Sequence, residues 1–264
     1  PNGLILGLAV AAAVTLVLTA PGVWDQASRH PGSFLAFLAL MAVLQVVTVE
    51  VHGRGAVSFA GTGLLAMGFT FGTGAAAWTG VAMGLLNLVR RRGHLNRGAF
   101  DAAQWALASA AAVGIYQLAG GDALSNAAGT GMSVVAAAVY MTINLGLLCT
   151  AMGLAEGTAP LTVWRERFRW FTPYYLVSGP LAFALTVAYE RVGVLGLVAF
   201  ALPPAMMMLS ANQYISRTQK SAEEVQRANE QLGSANVELE VANAALRESE
   251  ERFRLIFDAG ALGI

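Results

Sequence analysis

Asp101 and Gln104 are the first residues whose types and spacing could do chemistry. Standing three apart, they share one face of a helix. A carboxylate inside an apolar run is costly unless paired, and Arg97, one turn earlier, is a partner within reach. Such a set could act as a polar switch between membrane spans. The plainer reading, an interfacial ion pair that anchors a loop, is preferred. Glu50 and His52 form a second pair, a carboxylate and an imidazole at the end of an apolar run. Two groups are too few for a metal site, and three scattered histidines (His30, His52, His94) lack ligand spacing. Gln45, Tyr116 and Asn144 sit deeper in apolar runs. They are expected to bond neighbouring helices, or else to line a ligand cavity. Asp101, Gln104, Tyr116 and Asn144 are therefore the candidate ligand-contacting residues.

Other chemistry is excluded or weak. Nothing resembles a Ser-His-Asp order, a phosphate-cradling loop or a two-carboxylate set, so the residues present carry no catalytic site. No cofactor or metal is expected. One cysteine, Cys149, excludes an internal disulfide, and its apolar surroundings suit a small buried hydrophobe. Met206, Met207 and Met208 could form the pliable wall of a lipophilic pocket, although such a run is more often ordinary packing.

The elements that must position these residues are membrane helices. Of 264 residues, 56% are hydrophobic and 12% charged. Soluble domains carry about twice that charge, so the chain reads as a polytopic membrane protein. Apolar runs cover residues 3–20, 33–51, 99–119, 132–152, 173–189 and 194–212. Pro21-Gly22 is expected to end the first, and Gly179-Pro180 to kink the run that contains it. Residues 57–89 are apolar but broken by Gly61, Gly63, Gly68, Gly72, Gly74, Gly80 and Gly84. They are expected to form two short spans, 57–70 and 75–89, or a re-entrant pair. Gly68 with Gly72, and Gly80 with Gly84, have the small-xxx-small spacing that lets helices touch in lipid. The total is about eight spans, an all-α bundle.

Cations set the orientation. With eight spans, one side holds Arg54, Arg90, Arg91, Arg92, Arg97, Arg165, Arg167, Arg169, Arg217 and Lys220, and the other only Arg29 and Arg191. This positive-inside bias puts both termini in the cytoplasm. The arginine loops suit lipid headgroups better than nucleic acid.

Beyond residue 215 the sequence turns polar. Val225, Leu232, Leu239 and Leu246 recur every seven residues, with Ala228, Ala235 and Ala242 three positions behind. That is a coiled-coil seam. Pairing the stripe with Asn229, Asn236 and Asn243 is a second possible register. A parallel homodimer is the expected partner state, and a helix packed on its own protein is the alternative. Three regions follow: a membrane part, 1–215; a cytoplasmic coiled-coil helix, 216–251; and the opening of another domain, 252–264. The chain starts without Met and stops in mid-pattern, so it reads as a fragment.

Two resemblances sharpen this. Leu246-Arg-Glu-Ser-Glu-Glu-Arg-Phe253-Arg-Leu255-Ile256-Phe257-Asp258-Ala259 with Gly263-Ile264 resembles the junction that opens a PAS domain in bacterial sensory proteins. Arg90 to Arg92, then Phe100-Asp101-Ala102-Ala103-Gln104, then Tyr116 to Gly121, resemble the N-terminal multi-span sensor of bacterial GGDEF, EAL and HD-GYP proteins. Asp101 replaces the usual Asn. These resemblances imply a bacterial inner-membrane input module that feeds a PAS domain and an output enzyme. That enzyme would turn over cyclic-di-GMP or be a histidine kinase, while residues 1–264 themselves are not an enzyme. The implied signal is a small molecule, a lipophilic compound or the bilayer. Pro203 and Pro204 are the expected flexure. The rivals are a solute transporter, suggested by the Gly-broken stretch, and a passive dimerising anchor.

Overall fold

The computed structural model describes residues 2–46, 48–51, 55–58, 60–91, 95–121 and 126–261. His52, Arg54, Arg92, His94, Asp122, Gly263 and Ile264 lie outside the described residues.

The first helix, α1, runs Asn2–Arg29 straight through Pro21, where the sequence predicted an end. The stop comes instead before Pro31, because a proline disfavours helix in the residue preceding it and is itself suited to begin the next one. The last turn of α1 is held by Asp25 and Arg29, paired at 2.8 Å. The second helix, α2, spans Pro31–Val46. The run expected to continue to residue 51 changes conformation. Thr48–Val51 (β1) pairs antiparallel with Gly55–Ser58 (β2), with Glu50 opposite Ala56. Thr-Val-Glu-Val is rich in β-branched residues, which resist helix and fit a pleated strand. Among the described residues the fold is therefore helical apart from this short strand pair.

Helix α3 (Ala60–Phe71) follows the hairpin, and Gly72, at φ 91°, joins it to α4 (Thr73–Arg91). Only glycine takes that conformation without strain. Twelve residues make α3 about 18 Å long, well short of a hydrocarbon core of about 30 Å. It is also buried on nearly every side, with Leu64, Leu65, Ala66 and Met67 fully enclosed.

Helix α5 (Leu95–Leu118) packs on α4 backbone to backbone. A Cβ at Gly84 would lie 2.5 Å from Ala102 Cα, and one at Gly80 would lie 2.9 Å from Ala106 N. The pair Gly80 and Gly84 thus forms a contact surface, whereas Gly72 serves a turn. Helix α6 (Asn126–Glu156) ends at Gly157, φ 69°, and Thr158 N–H donates to Gly153 O at 3.0 Å. This closes the helix with a left-handed glycine cap. A single turn, α7 (Pro160–Val163), leads into a π-helical turn over Trp164–Phe168 and a 3-10 turn over Arg169–Phe171. Helix α8 (Thr172–Val192) contains Pro180 and lies on α6, where a Cβ at Gly179 would be 2.0 Å from Ser133 O.

Gly193, at φ 66°, turns the chain into α9 (Val194–Ala261), a helix of 68 residues. Pro203 and Pro204 lie within it, and the backbone is helical throughout. By internal contacts the chain divides into Pro1–Leu209 and Ser210–Ile264. Helix α9 also runs through the boundary expected at 251/252. Among the described residues, three helical stretches are long and apolar enough to cross a membrane: Gly3–Arg29, Ala127–Glu156 and Pro160–Val192. In the last, the charges at Arg165, Glu166, Arg167 and Arg169 confine the hydrocarbon part to the residues after them.

Candidate functional site

Two buried amide side chains of the first unit meet where α5, α6 and α8 come together. Gln104 projects from α5 and is 3% exposed, and Asn144 projects from α6 at 6%. Gln104 Nε2 donates to Asn144 O at 2.7 Å and also to Asn144 Oδ1. Asn144 Nδ2 donates in turn to the Tyr175 hydroxyl on α8 at 3.4 Å. Tyr140 stands one turn before Asn144 on α6 and is 2% exposed. Its ring stands 6.0 Å from that of Tyr175, which in turn stands 5.9 Å from the ring of Tyr174. Thr62 of α3 sits beside the Tyr174 hydroxyl. Helix α3 approaches this cluster through Gly61, where a Cβ would come 3.2 Å from Tyr140 Cε1.

The local sequence explains the arrangement. Gln104 falls among small residues (Ala102, Ala103, Ala106), so α5 lies close to its neighbours and its amide reaches across. Tyr140 and Asn144 share a face of α6 by their i, i+4 spacing. In a medium without water, each amide must find a protein partner, and the partner of Gln104 is partly a backbone carbonyl that a helix already uses.

The four sequence-predicted residues separate. Gln104 and Asn144 come together. Asp101 lies one turn nearer the start of α5, half-buried beside the contact of Ala102 with Gly84, and Arg97 is exposed. Tyr116 is twelve residues beyond Gln104 on the same helix, about 18 Å along it. Its ring stacks 4.1 Å from Phe69 and 6.4 Å from Phe183, a separate aromatic cluster. Tyr140, Tyr174 and Tyr175 were missed. The spacing of Tyr140 to Asn144 was a usable signal, whereas the arrival of α8 was not visible in the sequence.

This cluster exchanges hydrogen bonds rather than protons. Amides do not ionise, and a phenol's ordinary value lies near 10. Among the described residues, no three His, Cys, Asp or Glu side chains gather where a metal could sit. The coil residues Val225, Leu232, Leu239 and Leu246 all lie on α9, between 60% and 62% exposed. No protein-family model matches the chain. No curated protein matches it either.

Proposed function

We propose that the chain is the membrane input module of a bacterial signalling protein. About eight spans would hold it in the inner membrane with both termini cytoplasmic. It would relay a small-molecule, lipophilic or bilayer signal through a dimeric coil to a PAS domain and an output enzyme acting on cyclic-di-GMP or as a histidine kinase. The observation that carries this reading is α9. It stays helical between residues 208 and 220, and its heptad leucines are exposed amid polar neighbours. An apolar stripe of that period in water calls for a second helix.

A route for the signal follows from the packing. The cluster of Gln104, Asn144 and Tyr175 ties α8 to α5 and α6. Helix α8 hairpins into α9 at Gly193, where a Cβ at Gly196 would lie 2.2 Å from Ala188 O. A shift of α8 would therefore move the start of α9. The two coil registers supply the two states such a switch needs, with flexure at Pro203 and Pro204.

Single cysteines in a Cys149→Ala background, oxidised in native membranes, test the coil. Crosslinking at Leu232 and Leu239 should exceed that at Arg227 and Ser234, which face outward in both registers. Equal yields at all four positions would sink the dimer. A second reading has one specific observation behind it: α3 is short, enclosed and broken from α4 at Gly72, as binding-site helices of transporters are. Solute uptake by proteoliposomes containing residues 1–215 would favour that carrier.

A further inference from the structure

A cleft of about 390 Å³ lies between the second half of α6 and the segment that begins with α7. It falls at the small end of ligand-sized cavities, which run from about 300 to 1,000 Å³. Its walls include Leu145, Gly146, Cys149, Pro160, Leu161 and Trp164. Two threonines also face it, but neither offers it a free donor. Thr142 donates to Ala138 O and Thr150 to Gly146 O, both at 2.7 Å along their own helix. The lining is therefore hydrocarbon in character, and water gains nothing by entering.

Arginines follow Trp164 in the chain. Trp164 opens the π-helical turn, and the Arg169 backbone N–H returns to Trp164 O. Arg165 and Arg169 are thus held within one wide turn of a residue that lines the cleft. Between them Arg167 is engaged, with Nη1 and Nη2 donating to Glu156 Oε1 and Oε2 at 2.8 and 2.9 Å. Among the described residues, neither Arg165 nor Arg169 forms an ion pair, and both are exposed. Wide π turns recur at functional positions because they reset which side chains share a face. Here the turn holds two arginines that form no ion pair among the described residues within one turn of Trp164, which lines an apolar slot.

We propose that this cleft seats one acyl chain of an anionic membrane phospholipid, whose phosphate is held by Arg165 and Arg169. The occupant follows from the pairing of a dry slot with exposed cations, since a zwitterionic headgroup brings its own ammonium to neutralise the phosphate and gains less from the arginines. The proposal rests on α6 lying in the bilayer and needs neither the coil nor the PAS reading.

Bromine on an acyl chain quenches tryptophan at contact range, which makes Trp164 the reporter. The full chain is placed in phosphatidylcholine vesicles, and either brominated phosphatidylglycerol or brominated phosphatidylcholine is added at the same fraction. The Trp164 contribution is the difference between wild type and Trp164→Phe. Brominated phosphatidylglycerol should quench it preferentially, with an apparent affinity advantage of roughly fivefold for each arginine near the headgroup. Arg165→Gln with Arg169→Gln should remove the preference and leave quenching by both lipids equal. Gly146→Phe should abolish the Trp164 component by filling the slot, since a Cβ there meets nothing within 4 Å. Equal quenching of the wild type by the two lipids would reduce the cleft to ordinary lipid contact and overturn the proposal. So would a preference that survives removal of both arginines. Should Gly146→Phe fail to fold, the arginine pair still decides.

Discussion

Helix α1 and the far part of α9 expose apolar side chains to much the same extent, with opposite meaning. Leu18 on α1 is 76% exposed and Leu232 on α9 is 62% exposed. On α1 the exposed residues are apolar on almost every side, so the helix needs only hydrocarbon around it. On α9 the heptad residues form one stripe, and most of the residues between are polar or small, with Val237 and Val241 the large apolar exceptions. A stripe of that width is satisfied by another protein helix, not by lipid. Exposure alone is therefore uninformative until the solvent is named. The same inversion holds for polar groups: Gln104 and Asn144 bond each other in the buried interior of the first unit, while Gln226 of α9 is exposed and donates to Glu230 of its own helix at 3.2 Å.

The largest expected effect attacks the stripe. Leu232→Asp with Leu239→Asp places charges at two successive seam positions, and crosslinking of the cytoplasmic helix should fall to background. Unchanged crosslinking would mean that the stripe is not an interface. Next comes the lipid-embedded side. Gly179→Leu puts a side chain where the α6 backbone already stands, 2.0 Å from Ser133 O. Neither backbone can yield without parting α6 from α8, so folded yield in mild detergent should drop severely, by about 3 kcal/mol of stability or more. The same change at Gly131, where a Cβ meets nothing within 4 Å, should be tolerated. Similar losses at both glycines would refute the packing argument.

A middle-sized effect is expected at the polar cluster. Gln104→Leu removes the donor to Asn144, and Asn144→Leu removes the Oδ1 acceptor and the Nδ2 donor to Tyr175 while the backbone carbonyl stays. Each should cost about 1 kcal/mol, the usual scale for hydrogen bonds between membrane helices. The double variant should cost less than the sum, because the second change removes a group the first left stranded. Thermal unfolding of the four proteins in one detergent measures this, and strict additivity would show the two residues to be independent.

Much of this was legible in the sequence, and the gaps have physical causes. The small-residue spacing at Gly80 and Gly84 marked the surface that meets α5, because close approach in lipid requires missing side chains. Runs of apolar residues located most helices but misplaced several ends, those of α1, α2 and α6 among them. Pro21-Gly22 suggests a stop, yet α1 continues through it to Arg29, with its last turn closed by the Asp25 to Arg29 pair. The hairpin at 48–58 was hidden inside apolar runs, since Val and Thr suit a membrane helix and a strand alike. Asp101, Gln104, Tyr116 and Asn144 were chosen as polar residues in apolar runs, and that criterion ignores height along a helix. It could pair Gln104 with Asn144 only by chance, and it could not see that Tyr116 belongs to another layer.

The smallest expected effect has the opposite sign and separates satisfied from unsatisfied polarity. Thr79 on α4 is 1% exposed, and its hydroxyl has no hydrogen-bond partner among the described residues. A buried hydroxyl without a partner loses its water and gains nothing in return. Valine has nearly the same shape and brings no polar atom. Thr79→Val should therefore leave packing intact and raise stability by about 0.5–1 kcal/mol, a small rise in melting temperature. The identical change at Thr186, whose hydroxyl donates to Ala182 O at 3.1 Å, should give no gain or a slight loss. If both variants melt alike, the hydroxyl of Thr79 finds a partner in the membrane, and the contrast between the two threonines fails.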